Sequence, residues 1–287
     1  MASSDDGQPP AKQAKKAAHL PQAAAAIFKH GPGPASSHSR AEDWSPNGYT
    51  GPLPPTCLSR VTRELLDLVT NPLPGIAAVQ DEDDLGRVHA LLIGPSGTPY
   101  QGGFFYLVLR VTEQYPMQPP KAQLMTTGSG QVRFNPNLYK NGKVCLSILG
   151  TWEGPCWTPA MGLRSVLLSV QSLMNEKPYR NEPGFASASV KKCDEYNDIV
   201  QHETLRVAVC EMMEGRVPMP QLLRQEMRSA FGQHYQYYTD LCRRHINRDG
   251  KPMRDPFNPG QAKFSYGSVL KRLESVNQQL SAGAGSS

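Results

Sequence analysis

The run VHALLIGPSGTPYQGGFFYLVLRV, residues 88–111, carries the clearest information about the fold. Its two apolar segments, 88–94 and 104–111, have the length and composition of β-strands, and residues rich in Gly and Pro separate them. Shorter strand-like segments lie at 76–79 and 122–125. Because strands this close in sequence and joined by turns usually pair with their neighbours, the four segments predict an antiparallel meander.

Helical patterns lie on both sides of this meander. From Thr56, the predicted N-cap, apolar residues recur on one face until Asn71 and Pro72 end the helix. The segment 163–174 has the same period and predicts a central helix packed on the sheet. Three further patterns cover about 190–214, 220–246 and 266–280, and Gly215 ends the first of them. The predicted fold is therefore α+β with a helical C-terminal extension.

The composition predicts where the ordered regions begin and end. Residues 1–55 are rich in Ala, Pro, Gly and Ser and have no apolar period, so they are predicted to be a disordered tail. Residues 56–185 are predicted to form the core and residues 186–280 the helical extension. Residues 281–287 are predicted to be a frayed tail.

Several functional classes are disfavoured by the composition. The net charge is +5, but no stripe of Lys and Arg interleaved with aromatics indicates nucleic-acid binding. No window contains the roughly 20 apolar residues that cross a bilayer, and the first residues do not resemble a secretory signal. We therefore expect a soluble protein of the cytoplasm and nucleus that binds neither nucleic acid nor membranes.

The six cysteines do not indicate a metal site. None forms a Cys-x-x-Cys pair, and no cluster of Cys and His has the spacing of zinc ligands. In a reducing compartment they are expected to be free thiols.

One cysteine lies in an unusual local sequence, FNPNLYKNGKVCLSIL, residues 134–149. The first half of this stretch has neither a helical nor a strand period, and Pro136, Asn141 and Gly142 favour turns. A cysteine on such a segment is expected to be accessible to solvent, which favours reactivity. Cys145 is therefore the candidate nucleophile.

The order of these features resembles the ubiquitin-conjugating fold. That fold has a helix, a four-stranded meander, a Pro-rich turn, a Pro-Asn turn, a cysteine and a central helix. The runs GPSGTPYQGGFF and QYPMQPP are similar to the meander signatures of the family. This resemblance covers residues 56–185. The run NEPGF and the following YNDIVQHETLRVAVCEMMEG resemble the long Z-type branch, which extends the match to about residue 275.

The resemblance implies an enzyme that receives ubiquitin from an activating enzyme as a thioester and passes it to a lysine of a substrate protein. A ubiquitin ligase generally takes part in the second step. The family uses no metal or prosthetic group, and ATP is consumed by the upstream activating enzyme.

The family's catalytic roles can be assigned by position. Cys145 would carry the thioester. Asn137 matches the family's Pro-Asn position, where its amide would either donate to the oxyanion formed during lysine attack or hold the active-site loop. Asn135 stands where the family usually has His, so the local hydrogen bonds must be made differently.

An acidic residue after the central helix would orient the incoming lysine. Glu182, in the run NEPG, matches the family's acidic gate residue, and a carboxylate there can favour deprotonation of the ammonium group. Asn181 and Glu176 are alternatives at this position.

The family resemblance also implies two partner surfaces. Met117 in the QYPMQPP turn would join a loop similar to the family's Trp-Ser-Pro-Ala loop in a docking surface for ligases; the residues of that loop are Trp157, Thr158, Pro159 and Ala160. On the first helix, Arg60 and Arg63 match basic positions that meet the activating enzyme, whereas Ser59 replaces a frequent Lys. The Z-type branch is charged by the alternative ubiquitin-activating enzyme, which is therefore the expected donor.

Three other hypotheses about the function of this protein remain. A cysteine hydrolase is disfavoured because no His lies in a motif that resembles a Cys/His dyad, and His89 is predicted to be a satisfied core residue. An inactive conjugating-like domain that acts as a binding module is the rival from another class. Conjugation of a different ubiquitin-like protein is a further variation.

Overall fold

A computed structural model describes residues 44–48 and 51–284 and contains a four-stranded antiparallel sheet. Its order is β1-β2-β3-β4, so each strand pairs with its neighbour in sequence. The strands are β1 (Ile76–Gln80), β2 (Arg87–Ile93), β3 (Phe104–Arg110) and β4 (Lys121–Leu124). The predicted meander is confirmed.

The predicted helices are also present. They are α1 (Pro55–Thr70), α2 (Leu163–Leu173), α3 (Val190–Glu203), α4 (Gln221–His245) and α5 (Tyr266–Ala284). A π-helical segment, Thr204–Glu211, continues α3. Beyond it, the backbone N–H of Gly215 donates to the Met212 carbonyl oxygen, and that of Arg216 donates to the Glu211 carbonyl oxygen. These bonds end the helix in the predicted place. The fold class is α+β, as predicted.

The ends of the ordered regions differ from the prediction. Helix α1 begins at Pro55 without a side-chain cap, so Thr56 is not the N-cap; a proline suits the first helical position because its missing N–H would have no helical partner there. Within the predicted tail 1–55, residues Pro46–Gly48 form a 3₁₀ turn that contacts β3 and β4. Most of that tail lies outside the described residues. Helix α5 continues beyond residue 280, and residues 285–287 lie outside the described range.

The sheet has a hydrophobic core on each face. One core joins residues such as Ala90 and Leu107 to α1 and α2. The other joins the remaining face of β2 and β3 to α3, α4 and α5; its strand residues are Leu91, Phe104, Tyr106 and Val108. Because both faces are covered, β2 and β3 consist almost entirely of apolar residues instead of alternating with polar ones.

His89 is a satisfied residue of β2, as predicted. Its ring nitrogens lie 2.6 Å from the Tyr106 hydroxyl and 2.8 Å from an Asp81 carboxylate oxygen.

Among the described residues, no helix has the combination of length and apolar character that spanning a bilayer requires.

Candidate active site

Cys145 follows a short turn that is attached to the edge of the sheet. Lys143 pairs with Gln123 of β4, and Val144 pairs with Leu138 across the turn. Gly142 has φ of +87°, and a Cβ there would lie 2.5 Å from the Leu124 carbonyl oxygen. Only glycine allows the turn to approach the sheet this closely.

A reciprocal pair of hydrogen bonds joins Cys145 to Asn137. The backbone N–H of Cys145 donates to the Asn137 carbonyl oxygen at 2.9 Å, and the Asn137 side-chain amide donates to the Cys145 carbonyl oxygen at 3.1 Å. Asn137 Oδ1 is buried and has no hydrogen-bond partner within the described part of the chain. Of the two roles expected for Asn137, the geometry contains the loop-holding contact.

Asn135 supports the same turn with both ends of its side chain. Its amide nitrogen donates to the Tyr100 hydroxyl at 2.9 Å and to the Leu173 carbonyl oxygen at 2.8 Å. Its Oδ1 accepts from the backbone N–H of Asn137 and from the Asn181 amide. The Asn135 side chain is fully buried. Its amide makes the local hydrogen bonds at the position where the resemblance implies a histidine.

The Cys145 residue is only 3% exposed, so the expectation of an accessible cysteine is wrong for this conformation. The turn folds back through a hydrogen bond between Tyr139 N–H and the Lys143 carbonyl oxygen. Burial raises the pKa of the Cys145 thiol, and the nearby Tyr139 hydroxyl acts against this effect. A turn-forming sequence predicts a change of chain direction, but it does not determine whether the folded chain buries the thiol.

Charges around the thiol act in opposite directions. Burial, the largest effect, raises the pKa of Cys145, and the positive charges of Lys143 and Arg133 oppose it. Glu182 raises the pKa of the same thiol because its negative charge disfavours the thiolate. The tendency of Cys145 to form a thiolate therefore depends on a balance. Burial and Glu182 oppose the thiolate, whereas Lys143 and Arg133 favour it.

Glu182 is half-buried and close enough for its charge to act on Cys145. The alternative residues are placed differently. The Asn181 amide donates to Asn135 and to the Leu173 carbonyl oxygen, and the Glu176 side chain is exposed. Of the two acidic candidates, Glu182 is therefore the one whose charge acts on the thiol.

The two loops predicted to form a docking surface are joined by Trp157. Its indole N–H donates to the Pro116 carbonyl oxygen at 2.7 Å, and its half-buried ring contacts Tyr115. Met117 is 71% exposed, and the rest of the loop is also open to solvent at Thr158, Pro159 and Ala160. These exposed side chains therefore lie on two adjoining loops.

The two arginines of α1 have different surroundings. Arg60 forms an ion pair with Glu64 and donates to the Met161 carbonyl oxygen at 3.0 Å. Arg63 is exposed and, in the ranges 44–48 and 51–284, makes neither a hydrogen bond nor an ion pair. Ser59 is exposed as well. Arg63 is the more available cation on this part of α1.

Two residues near Cys145, and a third that contacts one of them, were missed by the sequence analysis. Arg133 and Tyr139 flank the Asn-Pro-Asn turn, and Phe257 comes from the C-terminal extension. The position of Arg133 and Tyr139 inside the most informative stretch was a usable signal. Nothing local marks Phe257, because its contacts arise from the tertiary fold.

The described residues contain no group of three or more His, Cys, Asp or Glu side chains arranged to hold a metal ion. All six cysteines are free thiols, and Cys156 is exposed.

Comparison with known proteins places this geometry in a family. Residues 60–204 match the family model described as ubiquitin-conjugating enzyme. The chain is 48% identical over 227 residues to the human protein named ubiquitin-conjugating enzyme E2 Z, a match that covers 79% of this chain and 64% of the relative. The Xenopus tropicalis E2 Z is 47% identical over 225 residues, which are 78% of this chain and 72% of that protein.

A third relative shows how far the similarity extends beyond these proteins. Probable ubiquitin-conjugating enzyme protein 17 of Caenorhabditis elegans is 43% identical over 169 residues, covering 54% of this chain and 23% of the relative. The chain thus spans 64% of the length of the human E2 Z that it matches. The match of the family model and these identities agree with the observed fold. The chain belongs to the ubiquitin-conjugating enzyme family.

Proposed function

We propose that this protein accepts ubiquitin from an activating enzyme as a thioester on Cys145 and transfers it to a lysine of a substrate protein. The observation that carries the proposal is the turn in which Asn137 and Cys145 exchange hydrogen bonds beside Tyr139 and Glu182. Family membership supports the same reaction.

The first step is an exchange of thioesters. The Cys145 thiolate attacks the ubiquitin carbonyl carbon, a new S–C bond forms, and the cysteine of the activating enzyme leaves as a thiolate. Because one thioester replaces another, the free-energy change is small. Arg133 and Lys143 favour the attacking thiolate, whereas burial limits its formation and so limits side reactions.

The second step is attack by a lysine amine on the Cys145 thioester. Negative charge develops on the carbonyl oxygen before the Cys145 sulfur leaves. The Asn137 amide lies beside Cys145 and, on release from the Cys145 carbonyl oxygen, would donate to this oxyanion. One such donor typically lowers the barrier by about 3–4 kcal/mol. Glu182 would orient the lysine ammonium and favour loss of its proton.

The proposed partners follow from the exposed surfaces and the family. Arg63 and Ser59 on α1 face the activating enzyme, for which the alternative type is proposed. The exposed Met117 and the adjoining loop would receive a ubiquitin ligase. No metal or prosthetic group is required, since ATP is consumed upstream. The proposed locations are the cytoplasm and the nucleus.

A loading assay tests the proposal. The protein is incubated with ubiquitin, ATP and either the main or the alternative activating enzyme, then analysed with and without thiol reductant. We expect a reductant-sensitive adduct, formed best with the alternative enzyme. Cys145→Ser should give an adduct that resists reductant, because oxygen esters resist thiolysis, and Cys145→Ala should give none.

Asn137→Ala extends the same assay to the second step. It should load almost normally, and its discharge to free lysine should slow by about 10²–10³-fold if the oxyanion contact is lost. Failure of the unmutated protein to load with either enzyme would contradict the proposed function and favour a binding module. Loading of another ubiquitin-like protein in place of ubiquitin would change the modifier but keep the role of Cys145.

A further inference from the structure

The C-terminal extension reaches the Cys145 turn through an arginine held between two aromatic rings. The Arg133 guanidinium carbon lies 3.9 Å from the centre of the Tyr139 ring and 5.3 Å from the centre of the Phe257 ring. Cations over aromatic faces are attracted by the electron-rich ring. Phe257 belongs to the extension, whereas the other two residues flank the Asn-Pro-Asn turn.

Arg133 connects this stack to the catalytic turn. Its side chain donates to the carbonyl oxygens of Asn135 and Pro136. Its positive charge favours the Cys145 thiolate, and so does the hydroxyl of Tyr139, the ring against which Arg133 packs. A shift of Arg133 would therefore alter both the turn and the surroundings of the thiol.

The segment 255–258, which we call the extension loop, is tied to the core at more than one point. The Asn258 amide donates to the Gln131 carbonyl oxygen at 2.6 Å. The Lys140 ammonium donates to Asn258 Oδ1 at 3.5 Å. Asp255 Oδ1 accepts from the Phe257 backbone N–H at 2.9 Å, which shapes the loop itself. A loop that is anchored to the core through Asn258 and shaped by Asp255 therefore places Phe257 against Arg133.

The same phenylalanine supports the segment that carries Glu182. Phe257 packs against Tyr179, Phe185 and Tyr196, with ring centres 5.2–5.8 Å apart. Tyr179 and Phe185 stack on each other at 4.7 Å and bracket Glu182 in sequence. The Phe257 ring therefore contacts Arg133, next to the Asn-Pro-Asn turn, and also the segment that carries Glu182.

We propose that Phe257 and the extension loop position the Cys145 site, so that the C-terminal extension is a working part of the active site. Phe257 is a positioning residue, since it acts through Arg133 and the Tyr179–Phe185 pair and does not contact the thiol. The inference rests on the proposed function in one respect, because the step expected to depend on it is lysine discharge. Misplaced reacting groups slow such steps strongly even when the change is distant.

The test substitutes Phe257 and follows two readouts in the full-length protein. The first is the pH profile of Cys145 alkylation by iodoacetamide, measured by mass spectrometry on the peptide that contains Cys145. The second is discharge of loaded ubiquitin to free lysine. For Phe257→Leu we expect the alkylation midpoint to move to higher pH and discharge to slow roughly 10- to 100-fold. Phe257→Tyr keeps the ring and should restore both.

Two further variants separate positioning from a general loss of stability. Asn258→Ala removes an anchor of the loop without changing any ring, and it should alter both readouts in the same direction but less. Tyr235→Leu removes another half-buried ring of the extension, one that packs on Phe231, and it should change neither. Equal effects of Tyr235→Leu and Phe257→Leu would overturn the proposal.

An unchanged alkylation profile and unchanged discharge in Phe257→Leu would also overturn it. The alkylation readout requires no ubiquitin, so it tests the positioning even if the unmutated protein fails to load. Failure of the unmutated protein to load would instead contradict the proposed function.

Discussion

At the scale of single residues, the notable feature is a candidate nucleophile that is covered. Cys145 is buried, and burial raises the pKa of its thiol. The nearby charges do not all favour the thiolate, because Glu182 opposes Arg133 and Lys143. The carboxylate proposed to serve the second step would therefore hinder the first. This conflict gives Glu182 two effects with opposite signs, which can be measured separately.

Glu182→Gln tests these two effects. Removing a negative charge near the thiol lowers the pKa of Cys145, so alkylation of Cys145 at neutral pH should become faster. Discharge of loaded ubiquitin to lysine should become slower and recover in part at higher pH, where lysine deprotonates without help. Glu176→Gln, a change at an exposed acid, is the control and should affect neither rate. Slower alkylation, or a discharge defect independent of pH, would contradict the assigned role.

At the scale of secondary-structure elements, the extension is fastened to the sheet by close contacts. The Tyr238 hydroxyl, on α4, donates to the Gly102 carbonyl oxygen at 2.6 Å in the loop between β2 and β3. Gly102 has φ of +73°, and a Cβ there would lie 2.8 Å from the Tyr238 ring and hydroxyl. Position 102 therefore requires glycine for two independent reasons, the left-handed backbone and the close approach of Tyr238.

Gly102→Ala should destabilise the protein through both effects. The left-handed backbone costs roughly 1–2 kcal/mol for a residue with a Cβ, and overpacking against a buried ring adds about 1–3 kcal/mol. Gly97→Ala is the matched control, since Gly97 has φ of +78° and nothing lies within 4 Å of the added Cβ. Urea unfolding should show a larger loss for Gly102→Ala, and equal losses would mean that the contact with Tyr238 contributes nothing.

At the scale of the whole molecule, the predicted core and the predicted extension are not independent units. The outer face of β2 and β3 is apolar, and the residues that cover it come from beyond residue 185, including Val209 and Phe231. The extension loop reaches the opposite side of the core at Arg133. The predicted boundary at 185 marks the end of the resemblance to the conjugating core, but the packing continues across it.

Truncation tests this shared packing. A fragment of residues 44–185 would expose Leu91, Phe104, Tyr106 and Val108 together, and contiguous apolar surface of this kind promotes association. We expect the fragment to aggregate or to bind a hydrophobic dye and melt without a sharp transition. The matched control is residues 44–284. A monomeric fragment with a sharp melting transition near that of the control would contradict the shared core.

Much of the fold was predictable because its signals are local. The strands of the meander follow from short apolar runs between turns, and the helix that ends at Gly215 follows from its period and from a glycine at the required position. The continuous apolar run at 104–109 also indicated a strand covered on both faces, a signal that the sequence analysis left unused. The place of Cys145 in a turn followed in the same way from Pro136 and Gly142.

The tertiary structure alone decided which surfaces meet. Periodicity identifies an apolar face but not its partner, so the packing of α4 and α5 on the outer face of the sheet could not be read from the chain. Cys145 is buried although its local sequence favours turns, and the support of Arg133 depends on Phe257, more than a hundred residues away in sequence. Local sequence determines how the backbone bends and repeats, whereas the exposure and the charge environment of a thiol depend on side chains that only the folded chain brings together.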